Sequence, residues 1–147
     1  MDEPLSTNDD SKLVSSLFQT TEAITRDRQR ELLRYNIHHR RAAVLLVIKD
    51  IGDSATPSEI ARRLLRKRHS ISRLLTIMEK DGLVRKSKDL DKRNWVRVTL
   101  TEKGQEAHDK AVRRESLHEL MSCLSMEERQ QMRYYLKTLM DRHRQLA

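Results

Sequence analysis

Three glycines and two prolines in 147 residues leave this chain almost without turn punctuation. Strands need tight turns that those residues supply, whereas helices need few breaks. Long helices are therefore predicted, not a multi-stranded sandwich or barrel. The glycines stand apart at Gly52, Gly82 and Gly104, so no glycine-rich phosphate loop exists.

The length is that of one ordinary domain. Hydrophobic residues make up 37% and only five residues are aromatic, which leaves a modest core to aliphatic side chains. The longest apolar run, Ala42–Ile48, is seven residues, far below the roughly 20 that span a bilayer. The acidic start Met1-Asp2-Glu3 lacks a basic and then apolar signal pattern. Cys123 is the single cysteine, so no internal disulfide forms, and a cytoplasmic location is expected. A secreted disulfide scaffold, a membrane protein and a collagen-like chain are excluded.

The net charge of +8 is unevenly placed. Residues 1–55 carry a net −1 and residues 105–147 a net +1, whereas residues 56–104 hold fourteen Lys/Arg against six Asp/Glu. Such a concentration is the footprint of a polyanion-binding module, or else a solvated basic surface.

Residues 1–10 are polar and predicted to fray. From about Asp10 to Tyr35, Leu13, Leu17, Ile24 and Leu32, with Val14 and Phe18 beside them, recur at helical spacing. Residues 38–51 are apolar on most sides and read as a buried helix stopped by Gly52. Thr56-Pro57-Ser58-Glu59 supplies an N-cap, a proline at the first helical position and a Glu placed to close a capping box. Ile60, Ala61, Leu64 and Leu65 then face inward. In residues 68–80, Ile71, Leu74, Leu75 and Met78 form an apolar stripe, and the opposite face falls on His69, Ser72, Arg73, Thr76 and Lys80. Two short helices with a tight connection make a helix-turn-helix.

The period then changes. Leu83–Ser87 and Trp95–Leu100 read as strands, with Val96, Val98 and Leu100 on one face, around a charged tip at 88–94. A helix starting at Thr101 is predicted to run to Leu124, with Ala107, Ala111, Leu120, Met121 and Leu124 inward. Ser125–Glu128 is a second capping box, and Met132, Leu136, Leu139, His143 and Leu146 make a heptad-like seam suited to packing between chains. The fold class is mainly α with a small β-hairpin wing (α+β). A winged helix-turn-helix at 37–104 is flanked by dimerisation helices at 1–36 and 105–147.

Three stretches carry a resemblance. Thr56-Pro-Ser-Glu-Ile-Ala-Arg-Arg-Leu, Ile71-Ser-Arg-Leu-Leu and Glu79-Lys-Asp-Gly-Leu-Val-Arg resemble the MarR family of transcriptional regulators. Asp89-Leu-Asp91-Lys-Arg93 is similar to the family's Asp-x-Asp-x-Arg wing, and Val98–Gly104 to its second wing strand and exit. The resemblance implies a homodimer with interlocked terminal helices that binds a palindromic operator on double-stranded DNA, as a repressor, and is modulated by a ligand. Asn94 replaces a second wing arginine found in many members. The turn Leu65-Arg66-Lys67 is more basic than the usual Gly-containing one, and the reactive N-terminal cysteine of peroxide sensors is absent.

Arg68, His69, Ser70, Ser72, Arg73, Thr76 and Lys80 are the expected DNA contacts of the second helix. There an arginine reads guanine bidentately or holds a phosphate. Lys88, Asp91, Lys92 and Arg93 are the expected wing contacts. Arg93 either enters the minor groove, aimed by Asp91, or pairs with Asp89 or Asp91 at the surface. His38, His39 and Arg41, with Arg40 between them, are the expected wall for a small anionic or aromatic ligand.

No metal or cofactor is expected. The six histidines are scattered, and adjacent His38 and His39 diverge by about 100° on a helix. A calcium loop starting at Asp89 lacks its Gly and Glu, since Asn94 and Leu100 stand there. Cys123, beside Leu124, reads as a small core residue. With no nucleophile–base arrangement, the chain is read as a non-enzyme. The rival readings are a DNA-binding protein without an effector and a winged-helix protein-interaction module.

Overall fold

The computed structural model describes residues 7–88 and 95–147. The chain divides into two compact units, Met1–Arg114 and Glu115–Ala147.

In the first unit, helix α1 (Thr7–Leu33) exposes Leu13, Val14, Leu17 and Phe18 and buries Leu32 near its end. It includes residues 7–10, which sequence reasoning assigned to a frayed tail; the rest of that tail lies outside the described residues. Helix α2 (His39–Ile51) is the central helix, with Ala42, Val44, Leu45 and Ile48 buried. Helices α3 (Pro57–Arg63) and α4 (Arg68–Lys80) follow, then strands β1 (Val84–Lys88) and β2 (Val96–Leu100), and helix α5 (Glu102–Ala111). The strands pair antiparallel, Val84 opposite Leu100 and Lys88 opposite Val96. Both strands sit within one residue of the predicted ones; the tip at 89–94 lies outside the described residues.

One core joins these elements. Val44, Leu45 and Ile48 meet Ile60 and Ala61, the α4 stripe Ile71, Leu75 and Met78, and the hairpin residues Val84 and Val98. The Ala55 carbonyl accepts from the Val98 amide at 2.8 Å, so the link between α2 and α3 is stitched to the hairpin. A smaller cluster of Leu32, Ile37, Ala42 and Ala111 binds the end of α1 to α2 and α5. There Arg28 pairs with the buried Glu31 at 2.7 Å and donates to the Ala111 carbonyl.

Three helices of this unit end the same way. In each, the amides of one left-handed residue and of the residue after it turn back onto carbonyls of the final turn, a Schellman closure. That residue is Asn36 after α1, Leu65 after α3 and Gly82 after α4, with φ of 57°, 51° and 76°. The bonds at the second closure are Leu65 N to Arg62 O and Arg66 N to Ala61 O. Leu65 was expected inside, but in this closure it points outward and is 73% exposed. The Thr56 cap also differs in part. Its hydroxyl accepts from the Glu59 amide at 3.2 Å, but the Glu59 carboxylate turns to Arg62 and Arg63 instead of closing the box.

In the second unit, helix α6 (Glu115–Met121) precedes α7 (Met126–Leu146). The predicted single helix 101–124 is therefore two helices, broken at 112–114, where Arg114 adopts φ 47°. Cys123 is exposed, not in a core: it lies in the short turn after α6, where its Sγ donates to the Leu120 carbonyl at 3.2 Å. The capping box at Ser125 is complete, with Ser125 Oγ accepting from Glu128 N and Ser125 N donating to Glu128 Oε2. Within this unit α7 leaves Met132, Leu136, Leu139 and Leu146 exposed. No helix among the described residues is long and apolar enough to cross a membrane.

Candidate nucleic-acid interface

Helix α4 turns its apolar stripe into the core, and the other side of the same helix faces solvent. Arg68, His69, Ser70, Arg73, Thr76 and Lys80 are exposed and Ser72 is half-buried. Its N-cap Lys67 makes no side-chain cap bond, and no acidic residue sits in the first turn. That helix end is open to an outside acceptor such as phosphate.

Many of the basic residues nearby are compensated. Arg62 and Arg63 share Glu59, whose carboxyl they hold down to about 2, the Arg62 hydrogen bond being the larger cause. Arg63 also meets Asp50, and Arg41 pairs with Asp81 at 2.8 Å. Among the described residues Arg66, Arg68, Arg73 and Lys80 make no ion pair. Uncompensated positive charge thus remains on and beside α4.

The exposed face of α4 has two flanks. Arg68, Ser72 and Thr76 line a cleft of about 460 Å³ with Pro57, Ser58, Lys86 and Trp95. Ser70, Arg73 and Ile77 line another of about 580 Å³ with His39, Arg40, Arg66 and Leu74. His69 and Lys80 line neither. Thr76 Oγ1 donates to Ser72 O and accepts from Lys86 Nζ, both at 3.0 Å. Lys88 is exposed at the end of β1, while Asp91, Lys92 and Arg93 lie outside the described residues.

The expected ligand wall does not form as one surface. His38 caps α2, its Nδ1 accepting from Arg40 N at 3.3 Å. His39 packs on Gln29, whose Oε1 lies 2.9 Å from His39 N and 2.5 Å from Nδ1. Burial, then the neighbouring charges of His38, Arg40 and Arg66, lower its pKa. Arg41, two residues on, faces a different cleft of about 420 Å³ with Tyr35, Lys103 and Lys110. Residues two apart on a helix point to opposite sides.

A family model described as the MarR family matches residues 35–101. Similar solved structures include the organohalide-sensing transcriptional regulator RdhR-CbdbA1625 in its 2,4-dichlorophenol-bound form. It is 30% identical, covering 95% of this chain and 82% of that one, with a TM-score of 0.81. The chain belongs to the MarR family of winged-helix regulators. The MepR–DNA complex from S. aureus shares the fold, with 23% identity, coverage of 87% of this chain and 96% of that one, and a TM-score of 0.76. So does a mutant MarR from E. coli complexed with operator DNA, with 20% identity, coverage of 92% and 99%, and a TM-score of 0.79. No curated protein matches the chain by sequence.

For this MarR-family chain, sequence reasoning missed Arg66, Lys86 and Trp95. Lys86 was legible in principle. It shares strand parity with Val84, which faces the core, so its side chain had to emerge on the α4 side of the hairpin.

Proposed function

We propose that this protein is a homodimeric, sequence-specific DNA-binding repressor of the cytoplasm, acting on a palindromic operator. The observation that carries the reading is the unpaired Arg66, Arg68, Arg73 and Lys80 on and beside α4, whose opposite face is core. The helix enters the major groove N-terminus first. Arg68, His69, Ser70, Ser72 and Arg73 reach base edges and phosphates, while Thr76 and Lys80 lie further along. Arg93, aimed by Asp91 and flanked by Lys88 and Lys92, enters the adjacent minor groove. A guanidinium is less strongly hydrated than an ammonium and suits a narrow groove.

The exposed stripes of α1 and α7 supply the dimer interface, with segments 1–36 and 105–147 as dimerisation arms around the DNA-binding segment 37–104. Two recognition helices then lie about 34 Å apart, one DNA turn. A small anionic or aromatic ligand fits the cleft beside Arg73. Its ring would rest on Val44, Ile71, Leu74 and Ile77, and its charge on Arg40, Arg66 and Arg73. Residue His39 then contributes a neutral edge, and His38 and Arg41 lie outside this set. The neighbour crystallised with 2,4-dichlorophenol supports a phenolic class.

Sequence selection from random duplexes followed by filter binding against salt tests the DNA reading. Enrichment of a palindrome and a steep inverse salt slope are expected. Binding with no salt dependence and no selected sequence would favour a protein-interaction module. Sedimentation at micromolar concentration is expected to give a dimer that Leu136→Asp with Leu139→Asp dissociates. A stable wild-type monomer would overturn the assembly.

A further inference from the structure

The last turn of α4 carries a carboxylate where two rules disfavour one. Glu79 lies at the negative end of the helix dipole, and on the helix proposed to meet phosphates. Its surroundings supply the reason. Strand β1 pairs with β2 along one edge only, which leaves the Lys86 amide on the free edge. Glu79 Oε2 accepts from that amide at 2.7 Å, and Oε1 lies 3.8 Å from Lys86 Nζ. The same ammonium donates to Thr76 Oγ1, one turn back on the exposed face of α4. The carboxylate therefore takes the place of a third strand, and the wing is bolted to the recognition helix at two points of one residue.

We propose that Glu79 is a positioning residue that fixes the angle of the wing to the recognition helix, and thereby the simultaneous fit of both to the operator. The inference rests on the DNA-binding reading. It differs in sign from the electrostatic expectation, because removing a carboxylate near phosphates strengthens binding unless that carboxylate holds something in place.

The test compares wild type, Glu79→Ala and Glu79→Gln on the operator that wild type selects and on a random duplex, at one salt concentration. The anisotropy of Trp95, the only tryptophan, is read in the free proteins. Trp95 immediately precedes β2, next to the Lys88–Val96 pair at the tip end of the two strands, and lines the cleft with Lys86. Glu79→Ala is expected to weaken operator binding on the order of tenfold, the scale of one charge-assisted hydrogen bond, without weakening random-duplex binding. Its Trp95 anisotropy should fall. Glu79→Gln keeps a carbonyl oxygen that accepts from the Lys86 amide, so it should restore both readouts. Operator binding by Glu79→Ala as tight as wild type would overturn the proposal. Equal losses on both duplexes with unchanged anisotropy would do the same, reducing Glu79 to general stability. A wild type that selects no operator refutes the DNA reading instead, and the anisotropy comparison, needing no DNA, still decides whether Glu79 holds the wing.

Discussion

Gly104→Ala is the substitution that most directly tests how this unit is assembled. Gly104 is buried in the first turn of α5, and its amide donates to the Thr101 hydroxyl at 3.0 Å. A Cβ built there would stand 1.9 Å from the Leu83 carbonyl oxygen and 3.0 Å from its carbon. An ordinary C···O contact needs about 3.3 Å, so the helix must retreat by about 1.4 Å. The obstacle is backbone and cannot rotate away. Retreat also stretches Thr101 N to Leu83 O, now 3.1 Å, and Thr101 Oγ1 to Gly82 O, now 2.5 Å.

Overpacking of this kind costs about 1–3 kcal/mol, and here the upper end applies. Each hydrogen bond lost adds about 1 kcal/mol. Against these, alanine is favoured over glycine in a helix by about 1 kcal/mol. The net expectation is a loss of about 2–4 kcal/mol. Urea denaturation followed by circular dichroism measures it, at one protein concentration because association contributes to stability. A variant as stable as wild type, or more stable by the helix-propensity increment, would refute the claim that α5 is seated on Leu83.

Arg73→Ala should weaken operator binding by about 1–3 kcal/mol and random-duplex binding less, whereas Lys80→Ala should weaken both alike and lower the salt slope by about one. Equal effects of Arg73→Ala on both duplexes would assign it to phosphate. Glu59 is held at about 2 by Arg62 and Arg63, below its unfolded value, so its contribution is present above about pH 4.5 and lost as pH falls toward 2. Urea midpoints of Glu59→Gln should show a shallower acid decline over that window; an identical decline would show that the carboxylate contributes nothing. Leu65→Gly relieves a left-handed leucine, worth about 1–2 kcal/mol, against about 0.5–1 kcal/mol of added chain entropy. A small rise in the urea midpoint is expected, and a fall would mean that exposed Leu65 makes a stabilising contact.

What could be read from the sequence were features set by local chemistry. Thr56-Pro57 announces α3, the 71–74–75–78 stripe fixes which side of α4 is buried, and alternation at 96–100 fixes the second strand. Long-range packing defeats such reading in specific places. Nothing local says that Leu65 will occupy the left-handed position that glycine occupies after α4. The closure of α3 against the start of α4 imposes it. Ala107 and Leu120 continue one helical period, yet the chain breaks between them once Ala111 is buried against α1 and α2. That the residues expected to wall a ligand do not share one surface has a geometric reason. His39 and Arg41 are neighbours in sequence and on opposite sides of α2, one beside α4 and the other paired with Asp81.

These contacts converge on one corner. Asp81, Gly82 and Leu83 close α4, and each is held by another element. Arg41 of α2 grips the Asp81 carboxylate, Lys103 of α5 donates to the Asp81 carbonyl at 2.9 Å, and Thr101 bonds Gly82 and Leu83. Two residues earlier, Glu79 holds β1. At the opposite end, where Ile71 is seated in the core, the N-cap Lys67 makes no side-chain cap bond. Helix α4 is thus tied at its C-terminus to α2, α5 and the wing, and under the proposed reading its uncapped N-terminal end is the one that meets DNA. The twelve rises of 1.5 Å between Arg68 and Lys80 place Arg68 about 18 Å from that anchor. A rotation of a few degrees at the corner therefore moves the Arg68 backbone by about an ångström, enough to break a bidentate base contact. A ligand seated beside Arg73 must favour such a rotated state over the DNA-bound one, because equal affinity for both would shift nothing.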